Sequence, residues 1–271
     1  MVDVRANFSG SIPEYYDSCM GPAVFEPFAD DLVRRLAPRP SGGVLEIACG
    51  TGIVTQRLRA RLDPAVRLVA SDLSKAMLDY ARGKLHEPAG VEWREADACK
   101  LPFADGEFAA VVCAFGVMFV PDRQAAFREA RRVLKDGGTF LFNVWDRIEE
   151  VPHGMAGAAT LESFFPGDPE MRFSTPYEMH DPVLLRELLA GARFQEIRIE
   201  KKRIQVEGAS ARTLATGQIR GTPRSALIEK RGVSLDAVID KATEELTKVG
   251  GADPYRSHAQ AVVVEARALP R

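Results

Sequence analysis

The sequence predicts a doubly wound, Rossmann-like α/β fold on a mostly parallel sheet. Three observations support this prediction. From Gly43 onward, short apolar runs alternate with helix-like segments, these runs are continuously apolar, and a glycine-rich turn follows the first of them. Continuously apolar strands between helices are typical of a parallel sheet that is covered by helices on both faces.

The predicted alternation occupies residues 43–145. The strands are expected at residues 44–48, 66–70, 91–95, 108–115 and 139–144. The helices between them are expected at residues 54–62, 75–85 and 123–134. Ahead of this region, residues 25–36 carry apolar side chains at helical spacing, which predicts one further helix.

The pattern is looser after Trp145. Residues 146–180 are rich in Pro, Gly, Met and Phe and have no clear period. The elements expected beyond them are a helix at 181–190, a strand at 194–206, helices within 208–250 and a strand at 261–268. Asp181 is the expected N-cap of the first of these helices. The last part of the chain is therefore expected to complete the same sheet, with two helical insertions added to it.

The composition argues against several classes of function. The 271 residues include 36 Lys and Arg against 38 Asp and Glu, and the resulting net charge of -2 argues against sequence-independent nucleic-acid binding. No apolar run reaches the length of about 18 residues that a membrane-spanning helix needs. The N-terminus lacks the pattern of a secretory signal, so a cytoplasmic protein is expected.

Cysteine usage predicts neither a metal site nor a disulfide framework. The four cysteines are scattered along the chain, at Cys19, Cys49, Cys99 and Cys113, with no C-x-x-C pair. A structural zinc site usually needs such closely spaced ligands, and a disulfide framework is typical of small secreted domains. All four are therefore expected to be reduced, and no metal ligand is predicted.

The first predicted strand ends in a turn that can approach a ligand closely. Gly50 and Gly52 permit a tight turn at the carboxyl end of this strand, where open α/β sheets bind ligands. Thr55 stands where a dinucleotide-binding G-x-G-x-x-G motif would have its third glycine. Glu46 is costly in an apolar strand unless a cation or a hydrogen-bond donor meets it. Its partner is either a ligand ammonium group or an internal Lys or Arg.

Two further acids follow the next two predicted strands. Asp72 can accept hydrogen bonds from both hydroxyls of a ribose, and Asp97 can accept one from the exocyclic amine of adenine. Each alone is more often a helix cap or a turn residue. Together with Glu46 they predict a ligand that has an ammonium group, a ribose diol and an adenine.

Residues 44–144 resemble the class I S-adenosylmethionine-dependent methyltransferases, and most closely the small-molecule enzymes of ubiquinone and menaquinone biosynthesis. The motifs that carry the resemblance are LEIACGTG at 45–52, ASDLSKAMLDYAR at 70–82, EADACKLPFADGEFAAVVCAFGVMFV at 95–120 and RVLKDGGTFLFNVW at 132–145. Tyr16 and Asp17 also resemble a Tyr-Asp pair in an N-terminal helix that closes over the cofactor in that family.

The resemblance implies a seven-stranded sheet with an antiparallel last strand and a set of cofactor-binding residues. Glu46 would bind the amino group of the methionine moiety, Asp72 the ribose, and Asp97 the adenine edge. The other implied cofactor-binding residues are Tyr16, Ala48, Gly50, Thr51, Gly52, Leu73, Met77, Ala98 and Ala114. Of these, Ala114 would pass beneath the sulfonium.

The implied organisation has three parts. Residues 1–40 are expected to form an N-terminal helical cap over the cofactor. The Rossmann-like core is expected at 41–146, 181–207 and 259–271, and insertions that form a substrate lid at 147–180 and 208–258. These insertions have no motif that aligns with the quinone enzymes, so the methyl acceptor does not follow from the resemblance. The protein is expected to be a monomer or a homodimer.

The residues after the fourth and fifth predicted strands bear on the acceptor site. An Asn or Asp followed by Pro-Pro, typical of enzymes that methylate base amines or the Gln side chain, is absent after the fourth predicted strand. Phe115, Met118 and Phe119 would suit an organic substrate or simply pack in the core. His153 and His180 are the weak candidates for a catalytic base, although a structural or surface role is the commoner one for such histidines.

We therefore predict methyl transfer from S-adenosylmethionine to a small organic acceptor, at oxygen, carbon or nitrogen, by in-line displacement. Two alternatives remain open at this point. One is a nicotinamide-dependent oxidoreductase, against which Glu46 and the missing third glycine both count. The other is a regulatory protein that binds S-adenosylmethionine without turnover.

Overall fold

The structure is a computed structural model that describes residues 8, 10–37, 40–85 and 90–270. The remaining parts of the predicted cap, residues 1–7, 9, 38 and 39, lie outside the described residues.

Seven strands form a single sheet in the order β3-β2-β1-β4-β5-β7-β6. The strands are β1 Gly43–Ile47, β2 Leu68–Asp72, β3 Val91–Glu95, β4 Phe108–Ala114, β5 Leu134–Trp145, β6 Phe194–Gly208 and β7 Tyr255–Ala268. The first five are mutually parallel, and β7 is antiparallel to both of its neighbours, β5 and β6. The predicted seven-stranded, mostly parallel sheet with an antiparallel last strand is confirmed.

Ten α-helices are formed by the described residues. They are α1 Ile12–Tyr15, α2 Glu26–Arg34, α3 Ile53–Arg61, α4 Lys75–Lys84, α5 Arg123–Val133, α6 Pro152–Phe164, α7 Pro182–Gly191, α8 Ala211–Arg220, α9 Arg224–Lys230 and α10 Leu235–Gly250. A π-helix, Tyr16–Phe25, joins α1 to α2. Short 3-10 turns lie at Val117–Phe119, Ile148–Glu150 and Thr175–Tyr177.

Side-chain caps determine where several helices begin. Asp181 accepts a hydrogen bond from the amide of Val183 at 2.8 Å, which confirms its predicted role at the start of α7. Ser74 accepts one from the amide of Met77 at the start of α4. This cap directly follows β2, so it fixes the short connection that carries Asp72.

The largest departure from the predicted elements is α6. Six of its residues are buried and they form one face, namely His153, Gly154, Ala156, Gly157, Thr160 and Leu161. The sequence shows no amphipathic period because this buried face carries small and polar residues, while the apolar Met155 is 47% exposed. The last strand also differs, since β7 begins at Tyr255, six residues before its predicted start.

The long β6 and β7 position the second insertion. Pairing between β5 and β7 ends at Trp145 and Ala261, whereas β6 and β7 stay paired as far as Gly208 and Tyr255. The two strands therefore extend beyond the carboxyl end of β5 as a two-stranded ribbon. Helices α8 to α10 connect the ends of this ribbon, so they lie at the carboxyl edge of the sheet.

Candidate functional site

The turn after β1 has a left-handed backbone at three positions. Ala48, Gly50 and Gly52 have φ angles of 53°, 55° and 79°. A Cβ atom on Gly52 would lie 3.1 Å from the Cβ of Ala81 and 3.3 Å from a methyl group of Leu85. Glycine at this position therefore allows both the turn and the close approach of α4 to it.

Glu46 is buried in β1 and is met by a hydroxyl group. Its side chain is 1% exposed, and Thr55 donates a hydrogen bond to it at 2.6 Å. Burial raises the pKa of Glu46 to about 8, with a further contribution from Asp72, against the opposing effect of the Thr55 hydrogen bond. No Lys or Arg among the described residues forms an ion pair with Glu46, so an internal cation is not its partner there.

Asp72 links the end of β2 to the glycine turn. Its carboxylate accepts hydrogen bonds from the amide of Gly50 and from the amide of Ser74, both at 2.8 Å. Burial raises its pKa, and these amide hydrogen bonds oppose that rise. The two turns that follow β1 and β2 are thus held together by one carboxylate.

The π-helix covers this carboxylate. Burial, and then the nearby charges of Asp72 and Asp17, raise the pKa of the Tyr16 hydroxyl. Asp17 itself pairs with Lys84 on α4 at 2.6 Å and accepts a hydrogen bond from Tyr80 at 3.4 Å. The Tyr-Asp pair therefore lies across the carboxyl ends of the central strands, anchored to α4.

Asp97 follows β3 and is exposed. It accepts a hydrogen bond from the amide of Cys99 at 2.8 Å, which makes it a turn residue as well as a candidate ligand-binding group. Leu73 is 54% exposed, whereas Met77 is buried. The structure thus places Glu46, Asp72 and Asp97 on or directly after three neighbouring parallel strands, β1, β2 and β3.

Asn143 fixes the turn after β4. The amide of Phe115, which has a left-handed φ of 53°, donates to both the main-chain oxygen and the side-chain oxygen of Asn143, at 3.1 and 3.0 Å. Ala114 is paired in register with Asn143 and is only half-buried. Asn143 was not among the predicted site residues, although a polar residue inside an otherwise apolar strand was the available signal.

The aromatic residues after β4 divide between core and surface. Phe115 and Met118 are buried, while Phe119 is 37% exposed. Phe115 stacks on Trp145 with ring centroids 4.0 Å apart, and Phe25 of the π-helix lies 5.8 Å from Phe115. An aromatic wall therefore extends from the π-helix to the end of β5.

The two candidate histidines have different surroundings. His153 is buried, and burial, with a smaller effect of His258, lowers its pKa to about 4. Its ring contacts Trp145 edge-on at 5.7 Å. The Nδ1 of His180 lies 2.7 Å from the main-chain oxygen of Tyr177, in the segment between α6 and α7.

The described part of the chain contains neither a candidate metal-ion site nor a candidate membrane-spanning helix. No group of three or more His, Cys, Asp or Glu side chains there is arranged to hold a metal ion. None of the helices described combines the length and the apolar character needed to cross a bilayer.

Comparison with known families gives the decisive match. Residues 44–138, which include the glycine turn and all three acids, match the family model of a methyltransferase domain. This segment is similar to methyltransferase domains. It resembles the class I S-adenosylmethionine-dependent enzymes represented by UbiE, as its motifs predicted.

Two curated relatives illustrate the extent of the likeness. The chain is 39% identical over 106 residues to the ubiquinone/menaquinone biosynthesis C-methyltransferase UbiE of Ectopseudomonas mendocina, and this alignment covers 38% of the chain and 41% of the relative. It is 37% identical over 145 residues to UbiE of Shewanella frigidimarina, 51% of this chain and 58% of the relative. The chain thus spans about half the length of the curated relatives it matches.

Solved structures extend the likeness of fold to the whole chain. The superposition with a phosphoethanolamine N-methyltransferase 2 of Haemonchus contortus includes 100% of this chain and 61% of that enzyme. Its TM-score is 0.64, and the two sequences are 18% identical. The superposition with the YcgJ protein of Bacillus subtilis includes 90% of this chain and 98% of that protein, at a TM-score of 0.60 and 18% identity. The [4+2]-cyclase SpnF also matches, at a TM-score of 0.56 and 20% identity.

Proposed function

We propose that the protein binds S-adenosylmethionine and transfers its methyl group to a small organic acceptor. The observation that carries this proposal is the placement of Glu46, Asp72 and Asp97 at three neighbouring strands around the glycine turn. A buried carboxylate that is met by one hydroxyl group and no cation fits a ligand ammonium group as its missing partner.

Each candidate cofactor-binding residue has a proposed contact. Glu46 binds the amino group of the methionine moiety, Asp72 the ribose hydroxyls and Asp97 the exocyclic amine of adenine. The methionine moiety lies along Ala48, Gly50, Thr51 and Gly52. The adenine lies between Leu73, Met77 and Ala98, Ala114 lies beneath the sulfonium, and Tyr16 covers the ribose side.

The chemistry requires little of the protein beyond placement. S-adenosylmethionine, when bound, supplies a methyl carbon that its sulfonium already activates. Glu46 and Asp97 fix the two ends of the donor and Asp72 fixes its ribose, and alignment of this kind can account for roughly 7–11 kcal/mol of a barrier. The π-helix, anchored through Asp17 and Lys84, excludes water from the same face.

We infer that the two insertions line the part of the site where the methyl acceptor binds. In this proposal residues 147–180 and 208–258 are the lid predicted from the sequence, and the described part of residues 1–40 is the cap. A cytoplasmic location is part of the proposal, supported by four cysteines that are all unpaired thiols.

The alternative functions are less well supported. Thr55, at the position of the missing third glycine, donates its hydroxyl hydrogen bond to Glu46, which does not fit a pyrophosphate-binding turn. A non-catalytic or differently catalytic binding protein is the stronger alternative, since SpnF is named as a cyclase on the same fold.

Titration calorimetry tests the proposal. We expect wild type to bind S-adenosylmethionine and S-adenosylhomocysteine but not NAD. Asp72→Ala should weaken both affinities by about 100-fold, because it removes charge-assisted hydrogen bonds from the ribose. Asp79→Ala, on the exposed face of α4, is the matched control. Binding of NAD alone would contradict the proposal, and binding without labelled methyl transfer to any metabolite tested would favour the non-catalytic alternative.

A further inference from the structure

Phe115, directly after β4, is held in a backbone conformation that residues other than glycine rarely adopt. Its φ of 53° is left-handed, which strains a residue that carries a Cβ atom. Strain of this kind persists only where the surroundings hold the residue in place. The ring of Phe115 packs among Phe25, Phe28 and Trp145, with centroid distances of 5.8, 5.4 and 4.0 Å. The side chain is therefore fixed, and Asn143 fixes the main chain.

Asn143 supplies two hydrogen-bond acceptors for the amide of Phe115. The N–H group donates to the main-chain oxygen of Asn143 at 3.1 Å, as the parallel pairing of β4 with β5 requires, and to its Oδ1 atom at 3.0 Å. The side-chain bond has a cost, since the Nδ2 atom of Asn143 is buried without a partner in the part of the chain that the structure describes. Leucine has nearly the same shape and no polar atom to bury. The side-chain oxygen is therefore what asparagine adds at this position.

The amide of Phe115 determines the direction in which the carbonyl group of Ala114 points. The two groups belong to one planar trans peptide, so they point in opposite directions. Strand β4 lies between β5 and β1 in the sheet. Because the N–H group faces Asn143 of β5, the carbonyl oxygen of Ala114 faces the β1 side.

On the β1 side, this oxygen faces a turn and not a strand. The pairing of β1 with β4 ends at Glu46 and Val112, two residues before Ala114. The amide of Cys49, which would continue the pairing, donates instead to the main-chain oxygen of Ser71 in β2, at 3.0 Å. The carbonyl group of Ala114 is thus directed at the turn after β1 and lies outside the β1–β4 ladder.

Small, accessible residues line the region that the oxygen faces. Ala114, Ala48 and Gly50 are only half-buried, whereas every other residue of β4 is fully buried. A Cβ atom on Gly116 would lie 2.4 Å from the Cβ of Ala48, so the turns after β1 and β4 touch at this point. In the proposed function the methionine moiety lies along the turn after β1 and the sulfonium lies at Ala114. The carbonyl oxygen and the sulfonium are therefore neighbours.

We propose that Asn143 is a positioning residue for the methyl donor and holds the Ala114 carbonyl oxygen toward the sulfonium. This inference rests on the proposed function. The oxygen is the negative end of a fixed peptide dipole, so it attracts a cation beside it more strongly than a neutral thioether. The site thereby favours S-adenosylmethionine over S-adenosylhomocysteine, whose sulfur carries no charge, and the same preference assists release of the product.

Calorimetric titration with both ligands tests the inference. Asn143→Leu should weaken the binding of S-adenosylmethionine by about 10-fold and that of S-adenosylhomocysteine by less than about 2-fold, because only the charged ligand loses the fixed dipole. Asn143→Asp keeps a side-chain oxygen at the same place, so its ratio of the two affinities should stay at or above the wild-type ratio. Thr139→Val is the matched control, since it removes a polar group near the opposite end of β5, where the hydroxyl group accepts a hydrogen bond from Arg267.

The ratio of the two affinities separates positioning from a purely structural role. Equal weakening of both ligands by Asn143→Leu would overturn the inference, because a distorted site loses both alike. Unchanged affinities in that variant, or the same change of ratio in Thr139→Val, would overturn it too. Asn143→Ala removes the same oxygen without a bulky replacement, so it provides the same test if the leucine variant does not fold. Failure of wild type to bind either ligand would instead overturn the proposed function.

Discussion

At the scale of single residues, Glu46 determines how the site responds to pH. Its pKa rises to about 8 in the folded protein, above the usual value of 4.5, because the side chain is buried. A raised carboxyl pKa means that the folded state binds the proton more tightly than the unfolded state. The stabilisation that this proton provides is complete below the usual pKa and is lost as the pH rises through the folded value.

Substitution of Glu46 by Gln should remove this dependence. Between about pH 5 and pH 8 we expect the free energy of unfolding of wild type to fall, relative to Glu46→Gln, by up to about 1.4 kcal/mol per pH unit. Urea unfolding of both proteins across this range measures the difference. Parallel pH profiles for the two proteins would mean that Glu46 is already ionised in the unliganded fold.

Cofactor binding should also release a proton from Glu46. An ammonium group beside the carboxylate favours its ionised form, so binding at pH 7 is expected to expel about one proton per site. Calorimetric titration of S-adenosylmethionine in buffers of different ionisation enthalpy counts this proton. Glu46→Gln should bind more weakly and release none, and equal release by the variant would show that another group titrates.

Glu46 and Asn143 show which features of the site could be predicted from the sequence and which could not. An acid in an apolar strand predicted that Glu46 would need a partner, yet it could not distinguish a ligand from Thr55, nine residues further on. Asn143 was missed because its role depends on a hydrogen bond across two strands to Phe115. Contacts between distant residues leave no local periodicity to detect.

At the scale of elements, the turns after β1 and β4 depend on each other. A Cβ atom on Gly116 would lie 2.4 Å from the Cβ of Ala48 and 2.8 Å from the sulfur of Cys113. We expect Gly116→Ala to destabilise the protein by about 1–3 kcal/mol, since neither turn can move without disturbing a strand end. Denaturant unfolding measures this change.

Gly83 provides the matched comparison. It lies in α4, and nothing stands within 4 Å of a Cβ atom added there. Gly83→Ala should therefore stabilise the protein by about 0.5–1 kcal/mol, because alanine loses less conformational entropy in a helix. Equal stabilities of the two alanine variants would contradict the close packing between the turn after β1 and the turn after β4.

The π-helix should transmit changes in α8 to the cofactor site. A Cβ atom on Gly217 would lie 2.6 Å from Met20 and 2.8 Å from Cys19, on the same π-helix that places Tyr16 near Asp72. We expect Gly217→Val to displace the cap and to weaken S-adenosylmethionine binding by about 10-fold, equivalent to 1.4 kcal/mol. Thr216→Ala, on the same helix, should leave the affinity at its wild-type value; equal effects of both variants would argue against coupling through the π-helix.

The strands of the parallel core were the easiest elements to predict from the sequence. The predicted strand at residues 91–95 has the same bounds in the structure, and β1, β2 and β4 lie within two residues of their predicted bounds, whereas β5 begins at Leu134, five residues before its predicted start. Helix α6 was missed because its buried face carries small and polar residues rather than large apolar ones. Its position follows from packing against α10 and from the hydrogen bond that Gln218 of α8 donates to His153, which a local pattern does not contain.

At the scale of the whole molecule, the antiparallel end of the sheet brings the insertions to the site. The ribbon of β6 and β7 extends past the end of β5, and α8 to α10 connect its two strands. Ion pairs reinforce this arrangement: Lys201 of β6 pairs with the buried Asp146 just after β5, and Lys202 pairs with Asp31 of α2. The seven-stranded sheet with an antiparallel last strand was implied by the family resemblance, whereas the extension of β6 and β7 past the end of β5 was not.

A crystal structure of the protein with S-adenosylhomocysteine tests the central claim most directly. We predict that the ligand amino group lies within hydrogen-bond distance of the Glu46 carboxylate, the ribose hydroxyls on Asp72, and the exocyclic amine of adenine at Asp97. A ligand bound elsewhere, or one whose ribose and amino group contact neither Glu46 nor Asp72, would contradict the account.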